Sequence, residues 1–204
     1  MAMEMEMEGK GKKGIDRRTI LKWFVGIGAL SAAGAVLTGI ATVRPAGSGG
    51  SQAEIRGGER LVFALGSNKN QPIRRTSVLP GQAVLAYPEG KEVQDNLIMV
   101  LHFDEKDLQP PTRLDWAPEG FVAYSAICTH LGCTVNFSHD PMQGAPYPHI
   151  HCPCHAGLFN PLKGAEVVGG PPPRPLPQLP ISLNAKGELV AAGPFEEPPG
   201  VLGG

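Results

Sequence analysis

Two short stretches decide the fold, CTHLGC at residues 128–133 and HCPCH at residues 151–155. Together they contain all 4 cysteines of the 204-residue chain and three of its 6 histidines. Thiolates and imidazoles bind zinc and iron, and cysteines outside the cytoplasm also pair as disulfides. The two stretches therefore predict a disulfide staple, a zinc site or a redox metal centre.

The composition around these stretches is that of a β-rich, loop-rich domain. The chain has 27 glycines and 21 prolines, and only 6% of its residues are aromatic. From Arg60 onward, short β-like runs are bounded by turn residues. Within the last run, the segments PISL and ELVAA predict a hairpin around residues 184–187. The runs are RLVFALG, SVLPGQAVLAYP, NLIMVLHFD, GFVAYSAICTH and LPISLNAKGELVAAG. We expect an all-β head over residues 60–204, an antiparallel sandwich or partial barrel with the cysteine stretches on loops.

The N-terminal part predicts a single transmembrane helix. Residues 23–43 carry no charge, and a helix of that length spans about 30 Å, the thickness of a bilayer hydrocarbon core. Six basic side chains and one acidic side chain in residues 9–22 keep this end in the cytoplasm, by the positive-inside rule. We therefore expect a bacterial cytoplasmic-membrane protein in contact with membrane lipid, with its head on the periplasmic or outer side.

The basic tail, residues 1–22, also carries an export signal. Arg17 and Arg18 directly before the apolar stretch resemble the twin-arginine (Tat) motif. The stretch is longer than the core of a cleaved signal, so we expect it to remain as an anchor. The Gly- and Ser-rich residues 44–59 that follow predict a flexible hinge with an r.m.s. span of about 20 Å.

The charge distribution argues against a nucleic-acid partner. From Pro45 onward the chain carries eleven basic and fifteen acidic side chains. The basic cluster therefore lies on the tail and not across a folded face, where nucleic acid would need it.

Three interpretations of the cysteine stretches compete on the residues alone. A set of disulfides leaves the placement of His130 and His155 unexplained. A zinc site would use these histidines with Cys128 and Cys152, but its C-x-H and C-x-x-H spacing is unusual and leaves two further cysteines beside the metal. An iron-sulfur site accounts for all six residues.

CTHLGC followed by CPCH resembles the signature of Rieske proteins, which hold one [2Fe-2S] cluster with two cysteines and two histidines. The resemblance implies that Cys128 and Cys152 bind the inner iron, and that His130 and His155 bind the outer iron. Two thiolates and two neutral imidazoles leave the oxidised cluster without net charge, so that it is easier to reduce than a four-cysteine cluster.

The resemblance implies further features of the head. A disulfide between Cys133 and Cys154 would clip the two cluster loops together. The fold would be the Rieske-type β sandwich, with a cluster-binding subdomain at about residues 126–173. A proline loop would cover the cluster, here made of Gly170, Pro171, Pro172 and Pro173.

The order of anchor, hinge, β head and proline loop resembles the Rieske subunit of quinol:cytochrome c oxidoreductases, the cytochrome bc complexes. The chain would then be the electron-transfer subunit of a respiratory enzyme. His155, with His130, would contact quinol held in a cytochrome b subunit and accept its proton, while Leu131 would line the docking surface. After the head swings on its hinge, the electron would pass to the haem of a c-type cytochrome.

One departure from that family concerns the residues after the second motif. High-potential members continue CPCH with G-S-x-Y, whose serine and tyrosine hydroxyls bond the cluster and cysteine sulfurs. Here Gly157 and Phe159 stand at those two positions. Hydrogen bonds to the sulfurs stabilise the more negative reduced state. We therefore predict a low potential, suited to menaquinol more than to ubiquinol.

The nearest rival function is the small Rieske subunit of arsenite oxidase, an electron relay without quinol chemistry. Within residues 134–151, His139, His149 and His151 are expected in a solvated loop, while His102 is expected to be structural.

Overall fold

The computed structural model describes residues 54–140, 145 and 148–202. The predicted anchor, the twin-arginine motif and residues 44–53 of the predicted hinge lie outside this part of the chain. Within the described residues, no helix is both long enough and apolar enough to cross a bilayer. Short 3-10 helices occupy Gln94–Asn96, Glu105–Asp107, Leu114–Trp116 and Pro118–Gly120.

The strands form three antiparallel sheets. The first sheet has the order β1 (Leu61–Phe63), β2 (Ala83–Pro88), β3 (Ile98–His102) and β4 (Phe121–Ser125). The second has the order β5 (Asn136–Ser138), β6 (His149–Cys152), β7 (Gly157–Asn160) and β8 (Glu166–Gly169). A hairpin joins β9 (Ile181–Leu183) and β10 (Leu189–Ala191). We call the first sheet with this hairpin the base, and the second sheet with its loops the cluster subdomain.

Strands β3 and β4 are buried on both faces, except at the half-buried His102 that ends β3. Because side chains alternate along a strand, Val100 belongs to the core of the base, which also contains Leu189. Its neighbour Leu101 belongs to a second core that includes Phe159 of the cluster subdomain. Each such fully buried side chain contributes about 1.5 to 3 kcal/mol, so the cluster subdomain is seated on the base by apolar burial.

The predicted antiparallel all-β architecture is confirmed for the described residues, and the predicted hairpin around residues 184–187 is present. The side-chain oxygen of Asn184 accepts hydrogen bonds from the backbone amides of Lys186, at 2.9 Å, and Glu188, at 3.0 Å. Gly187 has a φ of 70°, which glycine adopts at little cost. Local turn chemistry therefore suffices to close this hairpin.

The expectation of a solvated loop between the two motifs agrees with the exposed His139 but is wrong for His149 and His151, which lie in a strand. Residues 136–138 and 149–152 form β5 and β6, and His149 is only 1% exposed. These strands are 3 and 4 residues long and mix polar with apolar side chains. Strands of this kind depend on their partner strands more than on intrinsic propensity. The sequence therefore contains no apolar run that predicts them.

The described end of the predicted hinge lies against the base. Ile55 is buried, and the amide of Gly58 donates to the carbonyl of Ala191 at 2.8 Å. The ammonium of Lys91 bonds the carbonyl of Glu54 and, at 2.5 Å, a carboxylate oxygen of Glu59. Residues 54–59 are thus fastened to the head.

Candidate metal centre

The first cysteine loop leaves β4 and closes on itself. The amide of Cys128 donates to the carbonyl of Cys133 at 2.8 Å, and the amide of Gly132 donates to the carbonyl of Cys128 at 3.0 Å. Gly132 has a φ of 77°, a conformation that costs residues with a Cβ atom free energy. The loop is therefore a tight turn that holds its side chains in a fixed arrangement.

The second cysteine loop connects β6 to β7 and is crosslinked to the first. Cys152 and Gly157 are paired across these strands, so that the intervening residues form a compact turn. Within it, Ala156 has a left-handed φ of 54°. Cys133 and Cys154 form the disulfide that the resemblance to Rieske proteins implied, with their Cα atoms 6.6 Å apart. The two loops are thereby held face to face.

Cys128 and Cys152 remain free thiols, and both are buried. The interpretation that all cysteines form disulfides is therefore wrong. The sulfur atoms of Cys152, Cys133 and Cys154 lie within 4.8 Å of one another. Burial, together with the neighbouring Cys152 thiol, raises the pKa of the Cys128 thiol to about 11. Such a thiol stays protonated at neutral pH unless a cation is bound, which suits a buried metal ligand better than a nucleophile.

His130 and His155 stand beside the thiols as a pair. Their ring centroids are 4.8 Å apart and their planes meet at 87°. His155 is exposed, whereas His130 is half-buried. Among the described residues, the Nδ1 atom of His130 has no hydrogen-bond partner although it is buried. An unpartnered buried nitrogen is costly, and a bound metal would remove that cost.

The proline loop packs directly on the second cysteine loop. A Cβ atom at Gly170 would lie 2.4 Å from the carbonyl oxygen of Ala156, and one at Gly157 would lie 2.6 Å from Cγ of Pro172. Pro172 is buried between these loops, whereas Pro171 and Pro173 are exposed. The absence of side chains at Gly157 and Gly170 therefore permits the loops to touch.

A cavity of about 520 Å³ opens beside His130. Its other lining residues come from the first cysteine loop, the proline loop and the segment after the base hairpin: Thr129, Pro171, Pro173, Arg174, Val201 and Leu202. Leu131, next to His130 in the chain, is 60% exposed. The imidazole end of the site thus borders an apolar and accessible surface.

Sequence reasoning missed Thr129 and Arg174. The hydroxyl of Thr129, which lies inside the first motif, donates to the carbonyl of Arg174 at 2.7 Å. The guanidinium of Arg174 in turn bonds the segment after the base hairpin. A single charged residue within the run PPPRPLPQLP was the available signal.

The remaining histidines have other surroundings. His102 stacks on Phe121 at a centroid distance of 4.0 Å and bonds the carbonyl of Val78 through Nδ1 at 2.7 Å, as a structural residue does. His139 is exposed and its Nε2 lies 2.5 Å from the carbonyl of Gly81. The rings of His149 and His151 are 5.8 Å apart. Of the three histidines in residues 134–151, two therefore lie together on β6 and the third contacts the turn before β2.

Comparison with known proteins supplies the context of this site. The family model described as the Rieske [2Fe-2S] domain matches residues 76–180. The cytochrome bc1 complex Rieske iron-sulfur subunit of Streptomyces lividans is 37% identical over 142 residues, which cover 65% of this chain and 81% of that protein. A Streptomyces coelicolor protein of the same name is also 37% identical, over 65% of this chain and 39% of its own length.

A third relative carries a different name. The putative respiratory nitrate reductase subunit Rieske of Haloferax mediterranei is 33% identical, over 68% of this chain and 60% of that protein. The chain therefore spans less than two thirds of the length of the second and third relatives. Among solved structures, the soluble domain of Rieske protein II from Sulfolobus acidocaldarius matches with a TM-score of 0.36 and 24% identity, over 50% of this chain and 63% of that one.

Proposed function

The chain belongs to the Rieske [2Fe-2S] domain family, and on that premise we propose that it is the electron-transfer subunit of a quinol:cytochrome c oxidoreductase. The observation that carries this proposal is the order of exposure among the four candidate ligands. Cys128 and Cys152 are buried, His130 is half-buried and His155 is exposed. Such a site keeps its sulfur side dry and presents its imidazole side to a partner.

The donor set fits a [2Fe-2S] cluster. Cys128 and Cys152 would bind the inner iron, and His130 and His155 the outer iron. When bound, the cluster supplies a one-electron acceptor whose potential is raised by its two imidazole ligands. The disulfide between Cys133 and Cys154 holds the two ligand loops in register.

His155 is the residue that we assign to the quinol. With one ring nitrogen on the iron, the other nitrogen of the exposed ring would have to lose its proton in the oxidised state. It could then accept a hydrogen bond from a quinol hydroxyl and take up that hydroxyl's proton as the quinol is oxidised. His130 and the exposed Leu131 lie on the same apolar border and would contact the quinol ring or the cytochrome b subunit that holds it. The quinol would then give up its proton and its electron at the same side of the site, next to His155.

The structure adds a steric reason to expect a low potential. The family position of the serine hydroxyl is Gly157, and the space where its Cβ atom would stand is filled by Pro172. The position of the tyrosine hydroxyl is Phe159, which is fully buried and has no oxygen to donate. Both missing hydrogen bonds would stabilise the reduced state, so menaquinol is the better matched donor. A redox titration that gives a potential in the range of ubiquinol-oxidising complexes would contradict this part of the proposal.

The location of the head follows from the crosslink and the sequence before it. Disulfides persist outside the cytoplasm, so the Cys133–Cys154 bond supports an exported head on an anchor at residues 23–43. Because residues 54–59 are fastened to the base, the free part of the hinge would begin before Glu54. The head would swing on this part between quinol and a c-type cytochrome.

Electron paramagnetic resonance of the full chain tests the cofactor and its ligands. The dithionite-reduced protein should give a spin-1/2 signal with hyperfine coupling to imidazole nitrogen. His155→Ala should abolish the signal, while His139→Ala, at another exposed histidine, should leave it intact. A purified protein that contains zinc and stays silent after reduction would overturn the proposal.

A second candidate is an electron relay in another respiratory oxidoreductase, such as the arsenite oxidase considered above. The name of the Haloferax mediterranei relative, a nitrate reductase subunit, favours keeping it. Affinity purification of the tagged full chain from its own membranes distinguishes the two. A b-type haem protein in the eluate supports the quinol:cytochrome c oxidoreductase, and a molybdenum protein supports the relay.

A further inference from the structure

Arg174 joins three segments that meet beside His130. It lies directly after the proline loop, and its side chain is 12% exposed. We call residues 194–202 the arm. The guanidinium donates hydrogen bonds to the arm carbonyls of Pro198, at 2.6 Å, and Gly200, at 2.8 Å, and to the carboxylate of Glu197 at 3.1 Å.

The backbone of Arg174 holds the first cysteine loop. Its carbonyl accepts the hydrogen bond from Thr129, whose side chain is buried. Thr129 stands between Cys128 and His130, the candidate ligands of opposite irons. One residue therefore contacts the ligand loop through its main chain and the arm through its side chain.

The arm is fitted to the same loop. Gly200 is buried, and a Cβ atom there would lie 3.2 Å from Cγ2 of Ile127, one residue before Cys128. Farther back, the amide of Glu196 donates to the carbonyl of Gln178 at 3.1 Å. Val201 and Leu202, 52% and 54% exposed, then line the cavity that also includes His130.

We propose that Arg174 is a positioning residue of the cluster site, which holds the arm so that Val201 and Leu202 cover the open side of His130. This inference rests on the cluster site of the proposed function and not on its quinol chemistry. An isolated surface ion pair contributes little, and Glu197 is 58% exposed. The two carbonyl bonds are different, because they are charge-assisted and come from a side chain that is mostly buried.

Loss of the guanidinium would release the arm and leave the Thr129 bond in place. Water and small solutes would then reach His130 through the enlarged cavity. The cluster would be lost faster to a chelator, since the rate of removal follows the population of the open state. Losing two charge-assisted bonds changes such a population by about tenfold or more.

The test uses the full chain in detergent and follows the bleaching of its visible absorption by an iron chelator. Arg174→Gln should bleach about tenfold faster than wild type. Glu197→Gln is the matched control, because it removes the exposed ion pair and leaves both carbonyl bonds. It should bleach at the wild-type rate.

A thermodynamic cycle separates positioning from general stability. Val201→Ser with Leu202→Ser changes only exposed side chains and should accelerate bleaching with an unchanged melting temperature. Adding these two changes to Arg174→Gln should give no further acceleration, since Arg174 acts through the arm. The inference would be overturned if the accelerations of bleaching multiplied in the combined variant. It would also be overturned if Arg174→Gln and Glu197→Gln bleached at equal rates.

If Arg174→Gln does not accumulate, Arg174→Lys takes its place in the cycle, because the lysine ammonium ends one bond short of Nη2, the atom that donates to both carbonyls. A wild-type protein without an iron-sulfur spectrum would refute the proposed function before any variant is compared. A failure of the positioning role therefore differs from a failure of the cofactor assignment.

Discussion

In the base, all of β4 and all but the last residue of β3 are buried, whereas no residue of β8 in the cluster subdomain is fully buried. The edge strand β5 of that subdomain has exposed or half-buried residues throughout. At the cluster end, the buried residues of β6 and β7 are supplemented by a disulfide, by glycines that allow close loop contacts, and by the hydrogen bonds from Arg174 to the arm. The base therefore depends mainly on its apolar core, whereas the loops of the site also depend on contacts with one another.

Leu189→Ala should have the largest effect, because it removes a fully buried side chain from the core of the base. We expect a loss of about 4 kcal/mol in the free energy of unfolding. Chemical denaturation followed by circular dichroism and by visible absorption measures it. Both signals should shift together to lower denaturant, since the whole head unfolds; a shift in absorption alone would contradict the role given to the base.

Replacement of Cys133 and Cys154 by serine should act on the cluster end instead. The disulfide closes a loop with a sequence separation of 21, and its loss should cost about 3 kcal/mol. Thermal loss of the visible absorption should then precede loss of the β-sheet signal. Coincident transitions would mean that the two regions are not stabilised separately.

Gly157→Ser tests the contact between the proline loop and the second cysteine loop. The new Cβ atom would lie 2.6 Å from Cγ of Pro172, and overpacking of this kind costs about 2 kcal/mol. The variant should melt at a lower temperature. Combining it with Pro172→Ala should recover part of the loss, whereas two additive losses would show that Pro172 is not the obstacle.

Phe159→Tyr should raise the reduction potential. Phe159 is fully buried in the core that also contains Cys128 and Cys152, and it stands at the position where high-potential Rieske proteins have the tyrosine whose hydroxyl bonds a cysteine sulfur. A hydrogen bond worth about 1 kcal/mol to the reduced state corresponds to about 40 mV for one electron. Protein-film voltammetry measures the shift. Phe137→Tyr, which adds the same oxygen on β5, is the control and should leave the potential unchanged.

Ala156→Gly should have the smallest effect, and it should be stabilising. Ala156 has a φ of 54°, where alanine is strained and glycine is not. After the greater entropy of glycine in the unfolded chain is subtracted, we expect a gain of about 0.5 kcal/mol. Ala165→Gly is the comparison, because Ala165 has a similar φ of 49° but is fully buried and would lose core contacts. A lower melting temperature for Ala156→Gly would show that the alanine at this position is not strained.

The success of sequence reasoning differs between the same two regions. The central part of the base was predictable, because NLIMVLHFD and GFVAYSAICTH are long runs whose apolar composition predicts that they are buried. The strands β5 to β8 were not, because 3 or 4 residues of mixed polarity become strands only beside suitable partners. His149 illustrates this, since a polar residue next to a Pro-rich segment proved to be buried in β6.

The sequence suffices to predict the chemistry proposed for this protein, because ligand type and spacing within a loop are local properties. Cys128, His130, Cys152 and His155 form the candidate donor set, and the family resemblance pairs the other two cysteines as a disulfide. What surrounds those donors depends on the tertiary structure. The contact between Gly157 and Pro172, and the clamp from Arg174 to the arm, join residues 15 to 26 positions apart. Contacts at such separations depend on how the chain folds back on itself, and no local pattern specifies them.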